Sequence, residues 1–357
     1  MTDDRVEFLM KLLDEAGPSG FEVRPARIWR DEASRYADRV WADVQGNSFA
    51  VLGEERRPRV MLAGHMDEIG LQVTHIDENG FLYFDGIGGW DSQVLVGQRV
   101  RILGRDGDVP GVIGKKPIHL MKPDERKKVS EIRDLWVDLG ASSRDEVTEM
   151  GIRVGDAGVL GSGFQQLAGD RIASRAIDNR VGAYVVLEAL RLLAEDPPAE
   201  AGVVAVATSQ EEIGFGGGGA RSSAFSLEPD AALVVDVTFA TDVPDASKKE
   251  VGEHELGGGP VLTRGSATHP LVMERLITTA EEEEIPVTLH ASPVATRTDA
   301  DAIFLVRSGV PTGLVSIPNR YMHSPSEVVS LADLERAAQL LAAFVRGLER
   351  GVSFVQE

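Results

Sequence analysis

Five short segments of the chain set an acid or a histidine where a strand is expected to end. They are Ala63-Gly64-His65-Met66-Asp67, Ala176-Ile177-Asp178-Asn179-Arg180, Ser209-Gln210-Glu211-Glu212-Ile213, Val235-Asp236-Val237-Thr238 and Arg320-Tyr321-Met322-His323-Ser324. Imidazole and carboxylate donors without thiolate suit Zn, Co or Mn, with positions left for water and substrate. Two cations about 3.5–4 Å apart repel, so a carboxylate must bridge them. Asp178 is the candidate bridge. His65 and Asp236 then complete one ion, and Glu212 and His323 the other. Glu211 stays uncommitted, and a free Glu beside such a pair is the usual general base for hydrolysis. Asp67 falls two residues after His65, on the same side of an extended chain. It could orient the imidazole or align the base. Singly, these residues say little. A lone His after a strand is more often packed or exposed, an Asp there is usually a turn residue or an N-cap, and a Glu pair is usually solvated charge. The joint arrangement carries the reading.

The elements that must position these groups follow from periodicity. At 357 residues the chain is long enough for about two domains. Residues 4–16 have helical apolar spacing, stopped by Gly17-Pro18. Val60–Ala63 reads as a buried strand that delivers His65. From Asp178 onward helix and strand alternate: a helix over Asn179–Ala194, strands over Val203–Ala207 and Ala231–Val235, a helix over Pro270–Glu284, strands over Pro286–His290 and Pro311–Ile317, and a helix over Leu331–Glu349. Continuous apolar strands between helices predict an α/β sheet covered on both faces, with its site beyond the carboxyl ends of the strands. Between about Ile69 and Gly163 the texture differs: short alternating runs cut by glycine, with one helix near Arg144–Met150. This predicts a β-rich domain (residues 69–163) inserted into an α/β domain built from residues 1–68 and 164–357. The Glu281–Glu284 run reads as a solvated helix end.

Composition narrows the function. A hydrophobic share of 43% with 26% charged residues fits a globular protein. No apolar run approaches the roughly 18–20 residues of a membrane span. The polar, acidic start Met-Thr-Asp-Asp-Arg does not read as a secretory signal, so a cytoplasmic enzyme is expected. The lack of cysteine removes disulfides, thiolate metal sites and a Cys nucleophile. A net charge of -20 argues against nucleic-acid binding, which needs a basic footprint.

The motif set resembles the dinuclear metalloaminopeptidases of the tetrahedral type, family forty-two of the metallopeptidases. The segments that carry the resemblance are Gly64–Gly70, Gly88-Gly89-Trp90, Gly114–His119, Asp178-Asn179-Arg180, Gln210–Gly214, Thr298–Asp301 and Ile317–His323. It implies a zinc-exopeptidase-like catalytic domain, a mixed sheet sandwiched by helices, with an inserted PDZ-like β domain used for assembly. It also implies two divalent ions (Zn or Co, with Mn possible), peptide substrates, Glu211 as base with Asp67 beside it, and a homo-oligomer in which dimers build a dodecamer. The expected activity is removal of N-terminal residues through a water activated by two metals. Similar proteins have a shorter turn ending in Arg-Gly-Ala after the Glu-Glu-Ile-Gly stretch. This chain has Phe215, Gly216–Gly219 and Ala220, either a neutral flexible insertion or a change of pocket shape. His75, His254 and His290 are expected to be structural or exposed; His119 and His269 have no derived role; Thr298, Asp299 and Asp301 are expected near the pocket, and Trp90 in packing or an interface. Two rivals stand beside this reading. A glycoside hydrolase would use two carboxylates without metal, and a non-catalytic assembly protein would not need the ligand set.

Overall fold

A computed structural model describes residues 1–214 and 216–356 of the chain. The N-terminal stretch forms helices α1 (Asp3–Asp14) and α2 (Val23–Ala33), then strands β1 (Arg39–Ala42), β2 (Ser48–Leu52) and β3 (Arg59–His65). Every residue of β3 after Arg59 is buried. Successive side chains alternate between the two sheet faces. Val60 and Leu62 enter one apolar cluster, Met61 and Ala63 another.

Six strands follow. They are β4 (Gly70–Ile76), β5 (Leu82–Ile87), β6 (Arg99–Gly104), β7 (Gly107–Lys115), β8 (Leu135–Asp138) and β9 (Ala157–Leu160), with the short helices α3 (Ser92–Leu95) and α4 (Arg144–Glu149) between them. They close into a barrel in the order β4-β5-β8-β7-β6-β9. The closing pairs, Leu71 with Gly158 and Gln72 with Ala157, also bring the entry and exit strands of this stretch together. Leu71, Val73, Leu82, Val100, Ile102, Ile113, Val137 and Val147 fill its centre, a core that draws only on residues of the barrel stretch. Each such fully buried aliphatic side chain contributes roughly 1.5–3 kcal/mol relative to exposure.

The chain returns through β10 (Gln165–Gln166) and β11 (Arg171–Ser174) to α5 (Ile177–Glu195). Then come β12 (Gly202–Thr208), α6 (Gly218–Leu227), β13 (Ala231–Phe239), α7 (Lys248–Val251), β14 (Val261–Gly265), α8 (Pro270–Glu282), β15 (Thr288–Ser292), α9 (Asp299–Ile303), β16 (Thr312–Asn319), β17 (Glu327–Ser330) and α10 (Leu331–Arg346). Among the described residues eight strands form one mixed sheet, β1-β2-β12-β3-β13-β16-β14-β15. The centre, β12-β3-β13-β16, is parallel, and antiparallel pairs flank it. Helices α1, α2, α5, α8 and α10 cover one face, and α6 and α9 the other. The expected α/β sheet with helices on both sides is therefore present, and so is a separate β-rich stretch, in the form of a closed barrel.

Differences are local. The strand expected over Pro286–His290 lies at Thr288–Ser292, where it pairs with β14. Helices α2 and α6 were not expected. The glycine run is not a free loop: Gly217 is the N-cap of α6, and Gly218 and Gly219 belong to the helix. Phe215, part of the same sequence departure, lies outside the described residues.

Candidate metal centre and active site

His65 is the last residue of β3, beside Thr208, the last of β12. Glu211 and Glu212 come three and four residues beyond Thr208. Asp236 departs from expectation, because it lies inside β13, which keeps pairing with β16 through Phe239 and Asn319. Val234 is in register with Ala63, so Asp236 is still level with His65 at the same end of the sheet. Asp178 stands at the entry of α5 with non-helical backbone angles, and its side chain makes no cap. Asn179 does that work instead: its carbonyl oxygen accepts Gly182 N at 3.0 Å while its amide donates to Val235 O at 2.8 Å. Helix α5 approaches β3 so closely that a Cβ on Gly64 would strike the backbone of Gly182. His323 lies in the link between β16 and β17.

These segments converge. Asp178 lies between two imidazoles, with Oδ1 3.2 Å from His65 Nε2 and Oδ2 3.4 Å from His323 Nε2. Glu212 Oε2 is 3.3 Å from His323 Nε2. Glu211 Oε2 and Asp236 Oδ1 are 3.8 and 3.9 Å from His65 Nε2. One possible ligand atom from each of His65, Asp178 and Glu212 lies within 4.8 Å of the others. Glu212 Oε1 is buried with no hydrogen-bond partner. A hard carboxylate and imidazole set with an orphaned buried oxygen fits a divalent cation of the Zn, Co or Mn kind.

The supports of this cluster are main-chain contacts. Asp67 is fully buried. Its Oδ1 accepts Glu211 N at 3.1 Å and its Oδ2 accepts Glu212 N at 3.0 Å and the Ser19 hydroxyl, while Oδ1 also lies 3.3 Å from His65 Nδ1. Glu327, at the start of β17, was not foreseen. Its Oε1 accepts His323 N at 2.9 Å and its Oε2 accepts Asp178 N at 3.0 Å. The barrel contributes as well: Gly89 O lies 2.8 Å from His323 Nδ1, and the Trp90 indole donates to Gly70 O beside it. With Nδ1 donating to that carbonyl, Nε2 is the nitrogen that faces Asp178 and Glu212 and would offer its lone pair to a cation on losing its proton. Arg180, also unforeseen and fully buried, donates to Met66 O, Leu12 O, Glu15 O and Gly17 O and pairs with Glu68, which Arg175 also holds. It thereby fixes the Met66–Glu68 stretch that carries Asp67. For Glu327 the sequence shows only an acid four residues after His323, which does not reveal its main-chain partners. Arg180 offered no signal beyond its place in the Asp-Asn-Arg motif.

Acids outnumber bases here, and the titrations reflect it. Burial, then the charges of Asp236, Asp299 and Glu212, push Glu211 up to about 10. Burial and Asp178 push Glu212 up to about 7. Burial also raises Asp236 and Glu327 well above the carboxylate range. Asp178 differs: burial opposes its ionisation, yet hydrogen bonds from His323 and His65 outweigh it and hold the carboxyl low. His323 is raised to about 11 by Asp178 and Glu212. Burial works against a charge on His65, but Asp178, Asp67 and Glu211 prevail and raise it. A site that draws protons so strongly would draw divalent cations for the same Coulombic reason.

The cluster floors a cleft of about 1220 Å³. Thr298, Asp299 and Asp301 line it, as expected, together with His290, Gly216, Gly217, Arg221 and Arg297. Asp299 accepts the Thr208 hydroxyl and is pushed up to about 6 by burial. His254 is buried against Thr288, and His119 is exposed, both away from the cluster. His269 lines a separate cavity of about 690 Å³ beside the C-terminal segment.

Known proteins share this architecture. The family model described as M42 glutamyl aminopeptidase matches residues 46–340. A lysyl aminopeptidase of Pyrococcus furiosus is 37% identical, over 96% of this chain and 97% of its own length. The crystal structure of a TET aminopeptidase from the marine sediment archaeon Thaumarchaeota archaeon SCGC AB-539-E09 superposes with a TM-score of 0.92 at 37% identity, over 98% of this chain and 97% of that one. The Pyrococcus horikoshii TET1 peptidase, described as assembling into a tetrahedron or a large octahedral shell, gives a TM-score of 0.85 at 31% identity, over 96% of this chain and 100% of that one. Likeness that runs nearly end to end in both sequence and fold, with acids and imidazoles gathered where the parallel strands end, makes the chain a member of the M42 glutamyl aminopeptidase family.

Proposed function

We propose that this aminopeptidase hydrolyses the first peptide bond of its substrates at the Asp178 cluster. His65, Asp178, Glu212, Asp236 and His323 would hold two divalent cations (Zn or Co, alternatively Mn), with Asp178 shared between them. The observation that supports this is the placement of Asp178, one carboxylate oxygen toward each imidazole. When bound, the cations would supply Lewis-acid polarisation of the scissile carbonyl and make the attacking water more acidic. Glu211, ionised once bound cations offset the charges of Asp236, Asp299 and Glu212 that raise it in their absence, would take the proton from that water and return it to the leaving amine. It suits the task because its backbone is fixed by Asp67 while its side chain stays 18% exposed and lines the cleft. Asp67 acts as a positioning residue, tying the base, Glu212 and His65 together. The acidic floor would also receive the free α-ammonium group of a peptide, so cleavage starts at the chain end. The names of the family and of the Pyrococcus furiosus relative carry opposite side-chain charges, glutamyl and lysyl, so a preference is not carried over from them.

Residues 69–163 would form an inserted PDZ-like assembly domain, within a catalytic domain of residues 1–68 and 164–357. The barrel's own core and its paired entry and exit strands support that division. Assembly from dimers to a dodecamer is the matching proposal, supported by the particles described for the Pyrococcus horikoshii relative. Light scattering tests it.

The decisive experiment on the site is Glu211→Gln. The variant should retain its metal content by elemental analysis and lose turnover on aminoacyl substrates by several orders of magnitude, about 10²–10⁴-fold of it from proton transfer. Near-normal turnover in metal-loaded Glu211→Gln protein would remove Glu211 from the mechanism.

A further inference from the structure

Two cations in the cleft are not used by the chemistry above. Arg297 has φ 60°, in the left-handed region that glycine adopts freely and a long side chain avoids. Its loop is held by Asp301, whose carboxylate accepts Thr296 N at 2.9 Å, the Thr296 hydroxyl at 2.8 Å and Arg297 N at 2.7 Å. The turn thus fixes an exposed arginine two residues from buried Asp299, on the wall of the cleft. Arg221 lines the same cleft from the first turn of α6, where a positive charge opposes the helix dipole. Arg307 and Arg320 are paired with Glu228 and Asp242; among the described residues, the guanidinium groups of Arg221 and Arg297 make no such pair. The other acids facing this space are the floor carboxylates, Asp301, which is engaged with its own loop, and Glu250 of α7. A residue in an unfavourable backbone state that presents a free charge to a cleft is a functional candidate.

Resting on the aminopeptidase reading, we propose that Arg297, assisted by Arg221, recognises a carboxylate of the substrate and so sets specificity. The carboxylate has two possible sources: an acidic side chain on the N-terminal residue, or the C-terminus of a short peptide. Guanidinium is suited to either through paired N–H donors.

The test compares substrates that differ only in that charge, on wild-type and Arg297→Gly protein. Glycine suits φ 60°, so the variant removes the charge without forcing the backbone. The first arm is the kcat/KM ratio of glutamyl over glutaminyl p-nitroanilide, and the second is the ratio of Leu-Gly over leucyl-glycinamide. One ratio should be about tenfold or more above unity in the wild type, fall about tenfold in Arg297→Gly, and recover in part in Arg297→Lys. The arm that responds identifies the source. Calorimetric binding of L-glutamate against L-glutamine, and of Leu-Gly against leucyl-glycinamide, to metal-loaded proteins that also carry Glu211→Gln gives the same comparison without turnover. Ratios near unity in both arms, or ratios that Arg297→Gly leaves unchanged, overturn the assignment. A protein that cleaves no aminoacyl substrate at all overturns the aminopeptidase reading instead, and the binding comparison still decides the role of Arg297.

Discussion

Glu327 shows how much of the site is held by residues that touch no substrate. Its two oxygens receive the backbone N–H groups of His323 and Asp178, one each, and it is almost fully buried. Glu327→Gln keeps the volume but turns one acceptor into a donor, so one of those N–H groups loses its partner and faces another N–H. The expected outcome is a 10–100-fold loss of metal affinity, read by competition with a chromogenic chelator, with the circular dichroism spectrum kept. Unaltered affinity would show that the two segments hold their places without it. The same contrast explains what could be read beforehand. The proposed donors His65, Asp178 and His323 are visible in sequence because their chemistry is in the side chain and they stand beside apolar elements, His65 and His323 after strands and Asp178 at the start of a long helix. Glu327 and Arg180 act on main-chain atoms of distant segments, and no residue type marks a carbonyl or an N–H as a future partner.

At the scale of elements, the site depends on how closely α5 lies on the sheet. Gly64 of β3 and Gly182 of α5 face each other with no room for a Cβ; one on Gly182 would meet Asn179 and the carbonyl of Val235. His65 follows Gly64 directly, and Asp178 precedes Gly182 by one turn. Gly182→Ala should therefore push α5 outward, destabilise the fold by about 1–3 kcal/mol as overpacking does, and separate Asp178 from His65. Chemical denaturation and metal stoichiometry would measure the two effects. A variant of wild-type stability that binds its full metal complement would refute the close-packing argument. The long apolar strands and α5 were legible for the same reason that they form, a continuous run that must be covered on both faces. Helix α6 was not, because it opens on Gly218 and Gly219, among the poorest helix formers, and is held by Ala220, Ala224 and Leu227 packing on the sheet. Asp236 was misplaced relative to its strand because pairing with β16 extends β13 past the apolar run. Tertiary pairing of that kind leaves no local sign.

Across the whole molecule, the β-rich stretch and the α/β frame could be told apart by texture, but closure of the barrel could not. It depends on β4 meeting β9, more than 80 residues later, and the contact of the Gly88–Trp90 turn with His323 was equally hidden. The frame thus delivers Asp67, Asp178, Asp236, Asp299 and Glu327, all buried, and half-buried Glu211 and Glu212 to one region with two imidazoles, in a chain that already carries a net charge of -20. Such crowding of like charge disfavours the fold unless cations or protons relieve it. Stability should then be linked to free metal. Each saturating site adds about 1.4 kcal/mol per tenfold rise in free ion above its dissociation constant. Thermal melts of chelator-stripped protein titrated with Zn, Co or Mn should therefore rise in midpoint with the logarithm of the free ion, and the initial binding should end at two ions per chain. Asp178→Asn weakens the proposed shared ligand and should move the onset of that rise to higher free ion more than Asp301→Asn, which alters a loop contact. A melting temperature that does not respond to added ion in the wild type would mean that the acidic cluster is neutralised by protons alone, and the proposed two-ion site would have to be abandoned.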